Sequence, residues 1–259
     1  MKKKYWFIAC FAFMMASCSS NRVDNDNKIT NKIDTIQLAI EDIVTTILNQ
    51  SDSLTMIPSL RYAKGETETY MVKMFGKDQT TKRIREEHIS NDFIIGRDYF
   101  YEKNELVFIK EEGSVFDTNS EIYTEKLIYI RSNQVYAAYK KHTYAETQMF
   151  SDSLFKLTEL DLSDFDLEKP RRALNQKGEF AMHFDEFLFI EPQTYLIVEN
   201  MDQTMNAALY IIESDSLLDS MYANPTLFKN KKLWVYHSFL EMSGIERMIY
   251  EGAVLLPTK

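Results

Sequence analysis

The chain has 259 residues, with 39 acidic against 30 basic and a formal net charge of −9, so it lacks the basic footprint that nucleic-acid binding requires. Seven glycines leave no room for glycine-rich phosphate loops, and the two cysteines are Cys10 and Cys18, which denies the rest of the chain disulfides, thiolate metal sites and cysteine nucleophiles. The apolar share of 45%, with 17 Phe and 15 Tyr, is enough to build a core.

The chain begins with Lys2, Lys3 and Lys4, continues through an apolar run over 5–15, and reaches Met15-Ala16-Ser17-Cys18. Basic, apolar and small-residue regions in that order form a secretory signal. The run is shorter than the roughly 20 apolar residues that a membrane-spanning helix needs. Residues 15–18 resemble the lipobox of bacterial lipoproteins, with Met15 where that family usually has Leu. The resemblance implies that the signal 1–17 is removed and that Cys18 carries lipid, palmitate-type chains among them, holding the protein to the membrane in the cell envelope. An ordinary signal peptide ending near a cysteine is the alternative. Two or more acyl chains anchor firmly where one does not. Ser19 in place of Asp implies the outer rather than the inner membrane under the proteobacterial sorting rule. The Met-Ala-Ser-Cys-Ser-Ser junction, followed by Asp24-Asn25-Asp26-Asn27, is similar to lipoproteins of the Bacteroidetes. Removal of 1–17 takes three lysines and no acid, moving the formal charge to −12.

Residues 18–28 are polar and read as a tether. From there Ile29, Ile33, Ile36, Ile40, Ile43 and Ile47 fall in steps of four and three, predicting an amphipathic helix over 29–49 with Lys32, Asp34, Glu41 and Asp42 on its other face. It either packs on its own domain or offers a short heptad seam to a partner. Beyond the breaker at Pro58, alternation predicts strands over 68–75, 80–89, 93–101, 106–110, 122–130 and 135–140, with polar turns between them, the longest over 111–120. Strands this close in sequence cannot be parallel, so 29–142 is expected to be a helix-backed antiparallel meander. Tyr99 and Tyr101, in step on one strand, and Tyr129, in step with Leu127 on another, predict an aromatic face that serves either packing or recognition.

Residues 143–175 read as a linker with a helix, carrying Met149, Phe150, Leu154 and Leu157, an acidic loop over 161–166, and then Pro170-Arg171-Arg172. The last segment, 176–259, gives strands over 180–190, 194–199 and 207–213, a helix from Ser216 capped by Asp215, and strands over 232–240 and 246–256. Three strands, a helix and two strands resemble the order of a small OB-fold barrel, a fold whose face binds nucleic acids or sugars. Phe180, Phe184, Phe187 and Leu188 also fit a helical period. The expected class is thus α+β, mostly antiparallel β: an N-terminal helix on a meander, followed by an OB-like β-barrel.

The one metal-like cluster is His183, Asp185 and Glu186. On a strand His183 and Asp185 share a face while Glu186 points away, and on a helix the three fan out, so they read as surface polarity rather than a metal site. His88 beside Glu86 and Glu87, His142, and His237 have no neighbour at metal-ligand spacing. A Gly-x-Ser-x-Gly elbow is absent from the sequence, and no carboxylate pair for glycoside hydrolysis can be singled out. The expected function is a membrane-anchored envelope lipoprotein acting as a non-enzymatic binding or structural module. It has no cofactor and no catalytic residue, its lipidation site is Cys18, and its partner is a protein or glycan of the envelope. The alternative is an envelope hydrolase or carbohydrate-binding protein.

Overall fold

The computed structural model describes residues 35–117, 120–144 and 155–257. The predicted signal with Cys18, the predicted tether, the start of the predicted first helix, and Met149, Phe150 and Leu154 of the predicted linker helix lie outside them. In chain order the elements are α1 (Thr35–Asn49), β1 (Thr55–Pro58), β2 (Tyr62–Lys64), β3 (Glu68–Lys77), β4 (Thr80–Ile89), β5 (Phe93–Glu102), β6 (Glu105–Asp117), β7 (Ser120–Arg131), β8 (Gln134–Thr143) and β9 (Phe155–Leu157). After these come α2 (Lys169–Leu174), β10 (Met182–Ile190), β11 (Gln193–Asn200), β12 (Asn206–Tyr210), α3 (Ser216–Ala223), α4 (Pro225–Phe228), β13 (Lys232–Met242) and β14 (Ile245–Leu255). The fold is mostly β.

Strands β3 to β8 form an antiparallel meander in which each pairs with the next. Three of its hairpins turn at Asp78-Gln79, Lys103-Asn104 and Ser132-Asn133, with both residues of each pair at positive φ. That is the two-residue turn whose twist matches the strands it joins. The long turn expected over 111–120 is instead largely strand, because Glu111 is held by Arg97 and Lys126 and Glu112 by Lys110 and Arg85. Arg97 and Lys126 stand directly opposite Glu111 on the two neighbouring strands, and cross-strand opposite charges stabilise a sheet rather than interrupt it. Pro58 does not break the chain either. It closes β1, which lies with β2 along the outer edge of β3, a position where a missing N–H costs nothing. Leu157, which its spacing assigns to a helix, belongs to β9 against β8.

The two faces of the meander are covered differently. On one, Val72, Ile84, Tyr99, Ile109 and Ile128 join a core shared with Phe180, Met182, Phe184, Leu196 and Val235. On the other, Phe100, Phe108, Tyr129 and Ala137 are buried together with Ile40 and Ile47 of α1. The aromatic face predicted from Tyr99, Tyr101, Tyr129 and Leu127 is therefore two faces. Tyr99 stands opposite Ile109 and Ile109 opposite Ile128, so Tyr129, one residue on, points the other way. Tyr101 lies on the Tyr99 side, and Leu127 packs with Tyr129.

The C-terminal strands close into a five-stranded barrel. β11 pairs with β10 and β12, β13 pairs with β10 and β14, and a parallel contact, Tyr210 opposite Ile249, joins β12 to β14. This order is consistent with the OB-like layout expected from the segments. β12 also meets β2 through Asn206 opposite Ala63, which makes barrel and meander one 14-stranded sheet. Beside that bridge, Arg61 reaches into the barrel. Its backbone N–H donates to Met248 Sδ, its guanidinium pairs with Glu246, and it lies 5.3 Å from the Phe239 ring centre.

Asp215 caps α3 as predicted, accepting from the Leu218 N–H at 2.8 Å, and its other oxygen accepts from the Tyr250 hydroxyl at 2.8 Å. Asp215→Ala is expected to destabilise the fold by about 1–2 kcal/mol in urea unfolding, since a capping acceptor is lost. A loss no larger than that of an exposed-surface substitution would show that the cap is not needed.

Candidate functional site: an aromatic groove on the barrel

The first half of β10 sits between β11 and β13, and its Met182 and Phe184 are fully buried. Between Phe184 and Glu186 the register with β11 shifts: Phe184 faces Val198 while Glu186 faces Ile197, and Asp185 is the extra residue. Such a bulge bends a strand and re-aims the side chains beyond it. Here it brings Asp185, Glu186, Phe187 and Phe189 to one wall of a groove of about 460 Å³. The opposite wall is Tyr222 of α3, with Pro225, Thr226 and Lys229 from α4 and the residue after it. The volume falls within the 300–1,000 Å³ range of small-ligand sites.

Tyr222 is the centre of the aromatic arrangement. Its ring lies 5.4 Å from that of Phe187 and 5.8 Å from that of Phe189, the latter nearly perpendicular at 89°. Phe187 is backed in turn by the buried Phe184 at 5.3 Å, so the rings are rooted in the core although Tyr222 and Phe189 remain more than half exposed. Rigid, exposed aromatic corners of this sort contribute contact area at little entropic cost. The Lys229 ammonium donates to Asp185, and that hydrogen bond holds the lysine above its ordinary pKa. Glu186 is exposed. The groove thus offers apolar ring faces, carboxylate acceptors, an ammonium donor and the Thr226 hydroxyl.

Of the sequence-predicted residues, Asp185 and Glu186 come together in this groove and His183 does not. The expectation of surface polarity fails for His183, which is 7% exposed because β10 is flanked on both sides at that point, by Glu199 and by Lys232. The strand rule that sends Asp185 and Glu186 to opposite faces fails at the bulge. His88 Nε2 lies 2.6 Å from Glu68 Oε1 in a separate cleft of about 240 Å³ that also contains Lys169 and Tyr70. His142 packs beside Phe155 at 6.3 Å. Burial lowers the pKa of the His237 imidazole. Among the described residues no three His, Cys, Asp or Glu converge for a metal ion, and no helix is long and apolar enough to cross a membrane. Phe189, Tyr222, Thr226 and Lys229 were not legible as site residues, because nothing in their local spacing brings α3 and α4 to the end of β10. No protein-family model, curated protein or solved structure matches the chain.

Proposed function

We propose that the protein is a lipid-anchored, non-enzymatic binding module of the cell envelope: lipid at Cys18, a short tether, a helix-backed meander, and an OB-like barrel that carries the ligand. The observation behind this reading is the groove, where Phe187, Phe189 and Tyr222 converge with Asp185, Glu186 and Lys229 on a concave surface. Apolar walls with a few convergent polar groups are what ligand sites consist of. The signal and lipobox supply the location, with the outer membrane favoured by Ser19.

One comparison tests both halves. Wild-type protein extracted from membranes is expected to carry acyl mass at Cys18 and to retain an envelope component in stoichiometric amount. Cys18→Ala should lose the acyl mass, and Tyr222→Ala should stay membrane-bound while releasing the component. Wild type without acyl mass removes the anchor from the reading. Full retention by Tyr222→Ala removes the groove, and chemical conversion of the component would make the protein an enzyme.

A further inference from the structure

We infer that the groove takes a neutral glycan chain, an assignment that rests on the groove being the ligand site. Three observations select this ligand over others.

The first is charge. Asp185 and Glu186 face a single ammonium, Lys229, which already occupies Asp185. An anionic ligand would meet the exposed Glu186, and a cationic one could pair with Glu186 only beside the resident Lys229, whose charge opposes it. The second is the kind of polar group present. Carboxylate oxygens only accept, an ammonium only donates, and a threonine hydroxyl does both. Placed side by side they match the alternating donor and acceptor capacity of vicinal sugar hydroxyls, each of which can give one hydrogen bond and receive others. The third is the ring geometry. Phe189 and Tyr222 meet at 89° and both are more than half exposed, presenting one open aromatic face beside another ring's edge. The apolar C–H face of a pyranose lies against such a face, where the ring's electron-rich surface attracts the partly positive hydrogens. A protein partner fits less well, since charged residues are depleted from the centre of protein interfaces and three of the eight groove residues are charged.

The test uses full-length protein in detergent and a panel of neutral oligosaccharides built on glucose, mannose, galactose and N-acetylglucosamine. Tetramethylammonium and a lysine-rich peptide serve as competing probes. Saturation-transfer NMR should place the pyranose ring protons of at least one glycan against the protein. Calorimetry should show affinity falling about tenfold in Phe189→Ala and in Tyr222→Ala, and about threefold in Glu186→Gln, one tenfold step corresponding to roughly 1.4 kcal/mol. Both aromatic side chains are largely exposed, so these variants are expected to fold, which circular dichroism checks. Binding of a cationic probe, lost in Phe189→Ala while no glycan binds, overturns the glycan assignment and leaves the groove as the ligand site. Glycan binding unchanged in both aromatic variants overturns the placement. If the component retained in a Tyr222-dependent way is a protein and no glycan binds, the groove is a protein interface and the inference fails.

Discussion

Glu86→Ala is expected to cost about 3–5 kcal/mol of folding stability, the range for removing one partner of a buried charged group. Glu86 is 5% exposed in the middle of the meander. It accepts from the Tyr70 hydroxyl at 2.5 Å, the Tyr99 hydroxyl at 2.6 Å and Arg97 Nη1 at 3.2 Å. Burial, followed by the charge of this carboxylate, pushes both phenols well above their ordinary pKa, so they remain protonated donors. Alanine leaves two buried hydroxyls without their acceptor and opens a cavity beside them. The effect spreads across the sheet from β4 to β7, because Arg97 continues to Glu111 and Glu111 to Lys126 at 2.6 Å. Glu86→Gln, which keeps the shape and one acceptor, should lose markedly less. Urea unfolding of the two variants decides the matter: equal losses, or a loss below about 1 kcal/mol for alanine, would mean that the carboxylate's hydrogen bonds contribute little net stability.

The second large effect is expected at Gly113→Ala. A Cβ at this position would overlap the Ile94 carbonyl oxygen and stand 3.0 Å from Ile95 Cα. Both are backbone atoms of the neighbouring strand, so no side chain can rotate away. Either β6 leaves β5 locally or the sheet flattens. Overpacking costs about 1–3 kcal/mol where side chains can adjust and more where they cannot, so a loss of about 3 kcal/mol or more is expected here. Gly65→Ala is the informative contrast. Gly65 has φ +60 with nothing within 4 Å, so alanine costs only the strain of a left-handed backbone, about 1–2 kcal/mol. Chemical denaturation that ranks Gly65→Ala as the more damaging of the two would refute the close-approach account.

The meander was legible because its turns are short and polar between alternating segments, as at Lys103-Asn104 and Ser132-Asn133. Where the pattern misleads, the cause is charge. Glu111 and Glu112 look like loop residues in one dimension and are cross-strand ion-pair members in three. The barrel's segments were legible from their spacing, whereas its closure depends on β10 meeting β13 and β12 meeting β14, pairings with no local signal. The groove was half legible. Asp185 and Glu186 stand out as a polar cluster, but a bulge of one residue decides which way they point, and alternation rules assume none. Lys229 lies 44 positions from the carboxylate it holds, a distance over which residue pattern says nothing. Tyr99 and Tyr129 are recognisable as packing residues, yet the side each takes depends on pairing register, which is invisible to a strand read alone.

The short segment around Arg61 lies where meander and barrel meet. Leu60 and Tyr62 on either side of it are 0% and 1% exposed, and the Tyr62 hydroxyl donates to the Ala173 carbonyl at 2.7 Å while its ring lies 4.7 Å from Phe180. Meander and barrel are thus joined by buried side chains of a common core as well as by the bridge of Asn206 to Ala63. Opening that core would wet the apolar surface of both halves at once, and it is wetting of apolar surface that produces the heat-capacity change of unfolding. With a core held in common, the two halves are expected to melt as one cooperative unit, seen as a single calorimetric transition.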